Sequence, residues 1–178
     1  NELSPIQRNI LVVDTRNGKR TLMDEGGKGW HTATLSASGQ YVFDRYTTPT
    51  VPRNIAIVNT ENGKRLSYFK AEDPWKGYNV PEYSCGTVKA ADGQTDLYWR
   101  MVKPTNCDPN KKYPTIIYVY GGPHAHNVDA SYHYGSRGWE TYMASKGYLL
   151  FILDNRGSEN RGKEFEQATI RQLGQEEM

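Results

Sequence analysis

The run from Tyr113 to His126, Tyr-Pro-Thr-Ile-Ile-Tyr-Val-Tyr-Gly-Gly-Pro-His-Ala-His, decides how this chain is read. Residues 115–120 form a continuous apolar run, the pattern of a central strand buried on both faces of a covered sheet. The paired glycines Gly121 and Gly122 remove side chains at the strand's end, where backbone or a strand-end group could approach a substrate. Toward the C-terminus, residues 139–146 have helical spacing, with Trp139, Tyr142 and Met143 on one face and Gly147 at the C-cap position. Residues 148–153 read as a second buried strand. Residues 162–173 read as a second helix, with Phe165, Ala168, Ile170 and Leu173 along one side. Strand, helix, strand, helix is the order of a doubly wound α/β sheet. Ligands of such sheets sit beyond the carboxyl ends of the strands. The loops to search are therefore Tyr120-Gly-Gly-Pro-His-Ala-His126 and Asp154-Asn-Arg-Gly-Ser-Glu-Asn-Arg-Gly162.

Toward the N-terminus the character changes. Residues 104–112 form a polar loop, residues 83–89 and 95–102 read as strands across Ala91-Asp-Gly93, and Pro74, Gly77 and Pro81 punctuate a connector. Before the connector lies a repeat. Asn9-Ile-Leu-Val-Val-Asp-Thr-Arg-Asn-Gly-Lys-Arg20 returns 45 residues later as Asn54-Ile-Ala-Ile-Val-Asn-Thr-Glu-Asn-Gly-Lys-Arg65, with eight of twelve positions identical. Each copy reads as strand, tight two-residue Asn-Gly turn, strand. Two further short strands, 32–36 and 40–45, lie between them, split by Ser38-Gly39. The period suits a four-stranded propeller blade, whose repeats run about 40–50 residues. Two unrelated hairpins of similar composition are the alternative. One and a half blades cannot close a ring, so the propeller reading expects the front to belong to something longer.

Composition narrows the function classes. The formal net charge is +2, which gives no reason to expect nucleic acid or an anionic membrane surface as a partner. No stretch approaches the roughly 18 apolar residues of a membrane span. Cys85 and Cys107 are too few for a disulfide framework and lack zinc spacing; whether they pair is open, with separate thiols favoured. His124 and His126 stand two apart without a companion cluster of Cys, Asp or Glu, so no metal is expected. His31 reads as a packed or hydrogen-bonded residue. Gly121-Gly122-Pro123 taken alone could merely end a strand. Arg156 and Arg161, each followed by glycine, could bind an anion, although pairing with carboxylates or strand-end carbonyls is the favoured use. No Walker-type loop, dinucleotide fingerprint or zinc-peptidase helix is present. Neither is a Gly-x-Ser-x-Gly elbow, nor a Ser, Asp, His set in the order an α/β-hydrolase uses.

Lys111-Lys-Tyr-Pro-Thr-Ile-Ile-Tyr-Val-Tyr-Gly-Gly-Pro-His124 strongly resembles the start of the catalytic domain in the dipeptidyl peptidase IV branch of the prolyl oligopeptidase family of serine peptidases. The segment 154–162, followed by Phe165-Glu and Leu173-Gly, resembles the next landmark of those enzymes. Gly29 to Arg45 and Pro49 to Pro52 resemble the last propeller blade leading into it. The likeness spans essentially the whole chain and is nearest to bacterial members.

The resemblance implies an α/β plus all-β fold: the last blades of a β-propeller over residues 1–76, then the N-terminal part of an α/β-hydrolase sheet over residues 77–178. It implies that Tyr120 gives its hydroxyl to the oxyanion hole and that His124 and His126 neighbour the leaving-group side. Gly121, Gly122, Pro123, Arg156 and Arg161 form the structural loops. The nucleophile, Asp and His of the triad are expected beyond Met178, and the acidic residues that hold the substrate amine before Asn1. The parent would release N-terminal dipeptides after Pro or Ala, acting on peptides with a free N-terminus without a cofactor, in the periplasm or outside the cell. A homodimeric parent is compatible with the family, no membrane contact is expected from this segment, and the segment alone should be inactive. An acylaminoacyl peptidase, an oligopeptidase, a non-catalytic binding relative and a plain β-rich interaction protein stay open as alternatives.

Overall fold

The computed structural model describes residues 3–24 and 26–176. They divide into two compact units: one runs through Lys76 and takes in Asp129–Tyr132, and the other comprises Gly77–Val128 and the chain from His133 onward.

The first unit is built from antiparallel hairpins. Strands β1 (Leu11–Val13) and β2 (Arg20–Leu22) pair with each other. Strands β3 (Trp30–Leu35), β4 (Tyr41–Thr48), β5 (Val51–Asn59) and β6 (Arg65–Lys70) form a four-stranded sheet in sequence order. The two copies of the repeat make the same turn, and it is not the tight two-residue hairpin expected. Asp14 N–H donates to Lys19 O at 2.9 Å while Gly18 N–H returns to Asp14 O at 2.7 Å; in the second copy Asn59 N–H donates to Lys64 O and Gly63 N–H to Asn59 O, both at 2.9 Å. Four residues therefore span each turn, and within each Asn-Gly pair only the glycine has positive φ, 71° at both Gly18 and Gly63. The Asn side chain does another job. Asn17 Oδ1 accepts from Lys19 N–H at 2.8 Å, and Asn62 Oδ1 accepts from Lys64 N–H at 2.9 Å, so Asn closes the turn on its own backbone.

The core of this unit joins Ile10 and Met23, at the ends of the β1–β2 hairpin, to Val42 and Val58 of the sheet. A buried polar group sits within the same unit. Asp44 is fully buried and accepts from Arg65 Nη2 at 2.7 Å, with His31 Nδ1 at 3.0 Å from the same oxygen.

The second unit holds a mixed sheet. Strands β7 (Tyr83–Lys89), β8 (Asp96–Val102), β9 (Thr115–Val119) and β10 (Leu149–Leu153) are ordered β7-β8-β10-β9. β10 runs parallel to β9, Leu149 opposite Thr115 through Leu153 opposite Val119, and antiparallel to β8. Helix α1 (Gly138–Ser145) makes the crossover between the parallel pair. It ends as expected at Gly147, φ 91°: Gly147 N–H donates to Ala144 O at 3.0 Å and Tyr148 N–H to Met143 O at 3.2 Å, a Schellman closure.

Three expectations for this unit need correction. β9 is not buried on both faces. It lies at the end of the strand order, and alternation leaves Ile117 and Val119 exposed while Leu150 and Ile152 of central β10 are fully buried. The aromatic face of α1 is not its buried face. Trp139 and Tyr142 are exposed, and the helix turns Glu140, Thr141 and Ala144 inward because Glu140 has a buried partner, Arg100. The second helix is short: α2 covers Lys163–Gln167 only. Arg171 at φ 61° cannot continue a right-handed helix, and Ile170 and Leu173 are exposed.

Candidate functional site

Because β9 and β10 are parallel and in register to their last residues, the loops after Val119 and Leu153 leave the same edge of the sheet. Tyr120 is the first residue past β9. It is 58% exposed, and its hydroxyl has no protein partner among the described residues. Gly121 takes φ 70° with open space where a Cβ would stand, so backbone conformation, not crowding, calls for glycine there. At Gly122 the reason differs: a Cβ would lie 3.2 Å from Tyr120 Cε1, so a side chain would press on the ring. Pro123 follows, and the loop then turns its two histidines to different surroundings. The exposed His124 ring sits with Nδ1 3.1 Å from Glu166 Oε1 of α2. The His126 side chain is nearly buried, with Nδ1 3.8 Å from Asp154 Oδ2.

The loop after β10 grips the loop after β9 at several points. Asp154 is buried, and its Oδ1 accepts from Asn127 N–H at 2.8 Å while Oδ2 accepts from Val128 N–H at 2.9 Å. Asn155, also buried, accepts at Oδ1 from Gly121 N–H at 3.2 Å. Glu159 N–H donates to Ala125 O at 3.1 Å. The loop arginines are engaged by their own unit. Arg156 Nη1 lies 2.7 Å from Glu176 and 3.6 Å from Asp92. Thr95's hydroxyl, then the Thr95 and Gln94 N–H groups, hold the Asp92 carboxyl down to about 2, with Arg156 adding to the effect. Arg161 donates to Asp96 O at 2.7 Å and lies over the Tyr98 and Phe165 rings; burial pulls its pKa below the usual arginine value, against the pull of Tyr98, Asp96 and Asp154.

Two hollows flank these loops. One of about 820 Å³ is lined by Asp92, Leu97, Val119, Gly121, Leu153 and Arg156 among others. The other, of about 570 Å³, is lined by Pro123, His124, Lys163, Glu166, Ile170 and Leu173 among others. Among the described residues, no group of three or more His, Cys, Asp and Glu could hold a metal ion, and no helix is long and apolar enough to cross a membrane. Cys85 and Cys107 are separate thiols.

The chain that carries these loops has relatives among known proteins. The prolyl oligopeptidase family model matches residues 135–178. A probable dipeptidyl peptidase 4 of Trichophyton verrucosum is 30% identical over 160 residues, 86% of this chain and 21% of that protein. Human dipeptidyl peptidase 8 is 27% identical over 183 residues, 98% of this chain and 20% of that protein. Among solved structures, Porphyromonas gingivalis dipeptidyl peptidase 4 matches with a TM-score of 0.85 and 30% identity, over 97% of this chain and 24% of that one. The chain belongs to the dipeptidyl peptidase IV branch of the prolyl oligopeptidase family. A Bacteroides ovatus protein provisionally described as a dipeptidyl aminopeptidase IV is similar at 51% identity and a TM-score of 0.85, over 92% of this chain and 24% of that one. The chain spans about a fifth of the length of the curated family members it matches.

Within this family frame, reading the sequence singled out the loops but missed Asp154 and Asn155 as their clamps. A signal was present. Two polar residues directly after an apolar strand are buried only where they find partners. The buried Arg100–Glu140 pair was missed as well, since neither residue stands in a recognisable motif.

Proposed function

We propose that the protein to which this chain belongs is a serine exopeptidase that releases dipeptides from free N-termini, after Pro or Ala, by acyl transfer. In this reading the four-stranded sheet β3–β6 and the β1–β2 hairpin over residues 1–76 are the last part of a β-propeller. Residues 77–178 begin the α/β-hydrolase sheet. Tyr120 gives its O–H to the developing oxyanion, and the triad is supplied by chain outside this sequence. His124 borders the leaving-group side, with His126 behind it. Gly121, Gly122 and Pro123 shape the loop, and Arg156 and Arg161 brace it. Without Ser, Asp and His, the segment alone does not hydrolyse peptides.

The observation that carries the reading is the placement of Tyr120. An exposed phenol free of hydrogen bonds to the described residues, on a strand end with its ring lying along Gly122, is a donor held ready for an incoming acceptor. A preorganised donor of this kind stabilises the tetrahedral intermediate more than the ground-state carbonyl. Tyr120→Phe in the full-length enzyme, assayed on a Gly-Pro-anilide substrate, should lower kcat by about 100-fold or more with little change in KM. An unchanged kcat would remove Tyr120 from the mechanism. A parent that cleaves only N-blocked substrates would move the reading to an acylaminoacyl peptidase.

A further inference from the structure

The peptide that follows Tyr120 is held by a side chain from the loop after β10. Gly121 N–H, one peptide beyond Tyr120, donates to Asn155 Oδ1 at 3.2 Å. The other half of the same amide, Nδ2, donates to Arg156 O at 2.6 Å. Asn155 is 1% exposed, and no other residue type satisfies both contacts at that reach. Gly121 needs an acceptor and the Arg156 carbonyl needs a donor, so one orientation of the amide meets both and fixes the side chain. An aspartate would set a carboxylate oxygen against the Arg156 carbonyl, and an alanine would leave the Gly121 N–H and the Arg156 C=O without this link. Next door, Asp154 pins Asn127 N–H and Val128 N–H at the far end of the same loop. The two residues that close β10 thus clamp both ends of residues 121–128. The clamp at the Tyr120 end is the one that sets where the phenol starts.

We propose that Asn155 is a positioning residue for the reaction, acting through Tyr120: it fixes the peptide after Tyr120 so that the O–H meets the oxyanion. This rests on the oxyanion reading of Tyr120. Asn155 is buried beneath the loop, so a part in the reaction runs through Tyr120, which distinguishes it from a residue that merely supports the fold. If it acts through the phenol, its removal matters only while the phenol is there.

The test is a double-substitution cycle in the full-length enzyme on a Gly-Pro-anilide substrate, comparing Asn155→Ala with and without Tyr120→Phe. Loss of the clamp should lower kcat about 10- to 100-fold with KM changed less than about threefold, the cost of a donor displaced by a fraction of an ångström. In the Tyr120→Phe background the same substitution should change kcat by less than about threefold, because the two act as a unit. Equal losses in both backgrounds would overturn the proposal and leave Asn155 a structural residue. A Tyr120→Phe enzyme with full activity would instead overturn the oxyanion reading on which it rests. Asn155→Leu, which keeps volume but no hydrogen bond, is run in parallel. The cycle is read on whichever variant keeps the parent's circular dichroism and cooperative melting. If neither folds, Asn155 serves folding and the positioning role is refused.

Discussion

Both ring nitrogens of His31 face acceptors. Nδ1 lies 3.0 Å from an Asp44 carboxylate oxygen and Nε2 lies 2.9 Å from Lys28 O. A neutral imidazole can donate from only one nitrogen, so the geometry favours the imidazolium. Burial alone pulls its pKa down. The Asp44 hydrogen bond and charge outweigh it, helped by the Lys28 carbonyl and the Asp24 charge, and the net direction is up from 6.5. The other groups facing the ring are Tyr46, stacked at 5.2 Å, and Arg65, which shares Asp44. Because the folded pKa lies above the unfolded one, the stabilisation is fully present below about pH 6.5 and is lost as pH rises through the folded value. Urea midpoints of the parent and His31→Gln should therefore differ most near about pH 6 and converge in mildly alkaline buffer. A gap that stays constant with pH would show that folding leaves the His31 pKa unchanged.

At the scale of elements, α1 is tied to β8 by charge, on a different face from the one on which the sequence places Trp139, Tyr142 and Met143. Arg100 Nη2 lies 2.5 Å from Glu140 Oε1, Arg100 Nε donates to Oε2 at 3.1 Å, and both residues are almost fully buried. Arg100 also donates to the Asn127 carbonyl, so one guanidinium joins strand, helix and the histidine loop. Breaking such a pair from one side leaves a buried charge unpaired. Glu140→Ala should cost about 3–5 kcal/mol, whereas the double change Arg100→Met with Glu140→Leu should cost less than either half suggests. Chemical denaturation of the unaltered protein, Arg100→Met, Glu140→Leu and the double variant decides it: strict additivity would mean that the pair is not coupled. This pair also marks where the sequence stopped being legible. The strands were readable because Asn17-Gly18, Asn62-Gly63 and Ala91-Asp92-Gly93 punctuate apolar runs locally, and the parallel order of β9 and β10 follows from a helix between two such runs. The turn type was misread, because Asn-Gly also closes four-residue turns by an Asn side-chain bond. Arg100–Glu140 and Asn155–Gly121 bridge 40 and 34 residues, and periodicity carries no information over such spans. The inward face of α1 was invisible for the same reason: a buried glutamate reads as a surface residue until its arginine is known.

At the scale of the whole chain, the two units leave sheet surface uncovered. β9 ends the strand order of its sheet and exposes Ile117 at 68% and Val119 at 43%. In the first unit, edge strand β6 exposes Leu66 at 64% and Tyr68 at 68%. An edge strand bearing exposed apolar side chains offers unpaired backbone and a sticky face together, the combination that folded proteins usually cover or charge. The formal net charge of +2 supplies little repulsion to oppose contact. The 178-residue chain should therefore associate as its concentration rises from about 1 to 100 µM, seen as a growing sedimentation coefficient. Ile117 is on the exposed face and takes no part in the Gly121–Asn155 hydrogen bond, so Ile117→Lys should shift that curve toward monomer without disturbing the fold. If the unaltered chain sediments as a monomer throughout, its uncovered sheet surface is not adhesive. If Ile117→Lys leaves association unchanged, contact runs through another surface, with β6 the next to test. The same Lys substitution in the full-length enzyme would be expected to cost stability, since a proposed hydrolase sheet continued past β9 would bury Ile117 and so the charge placed there.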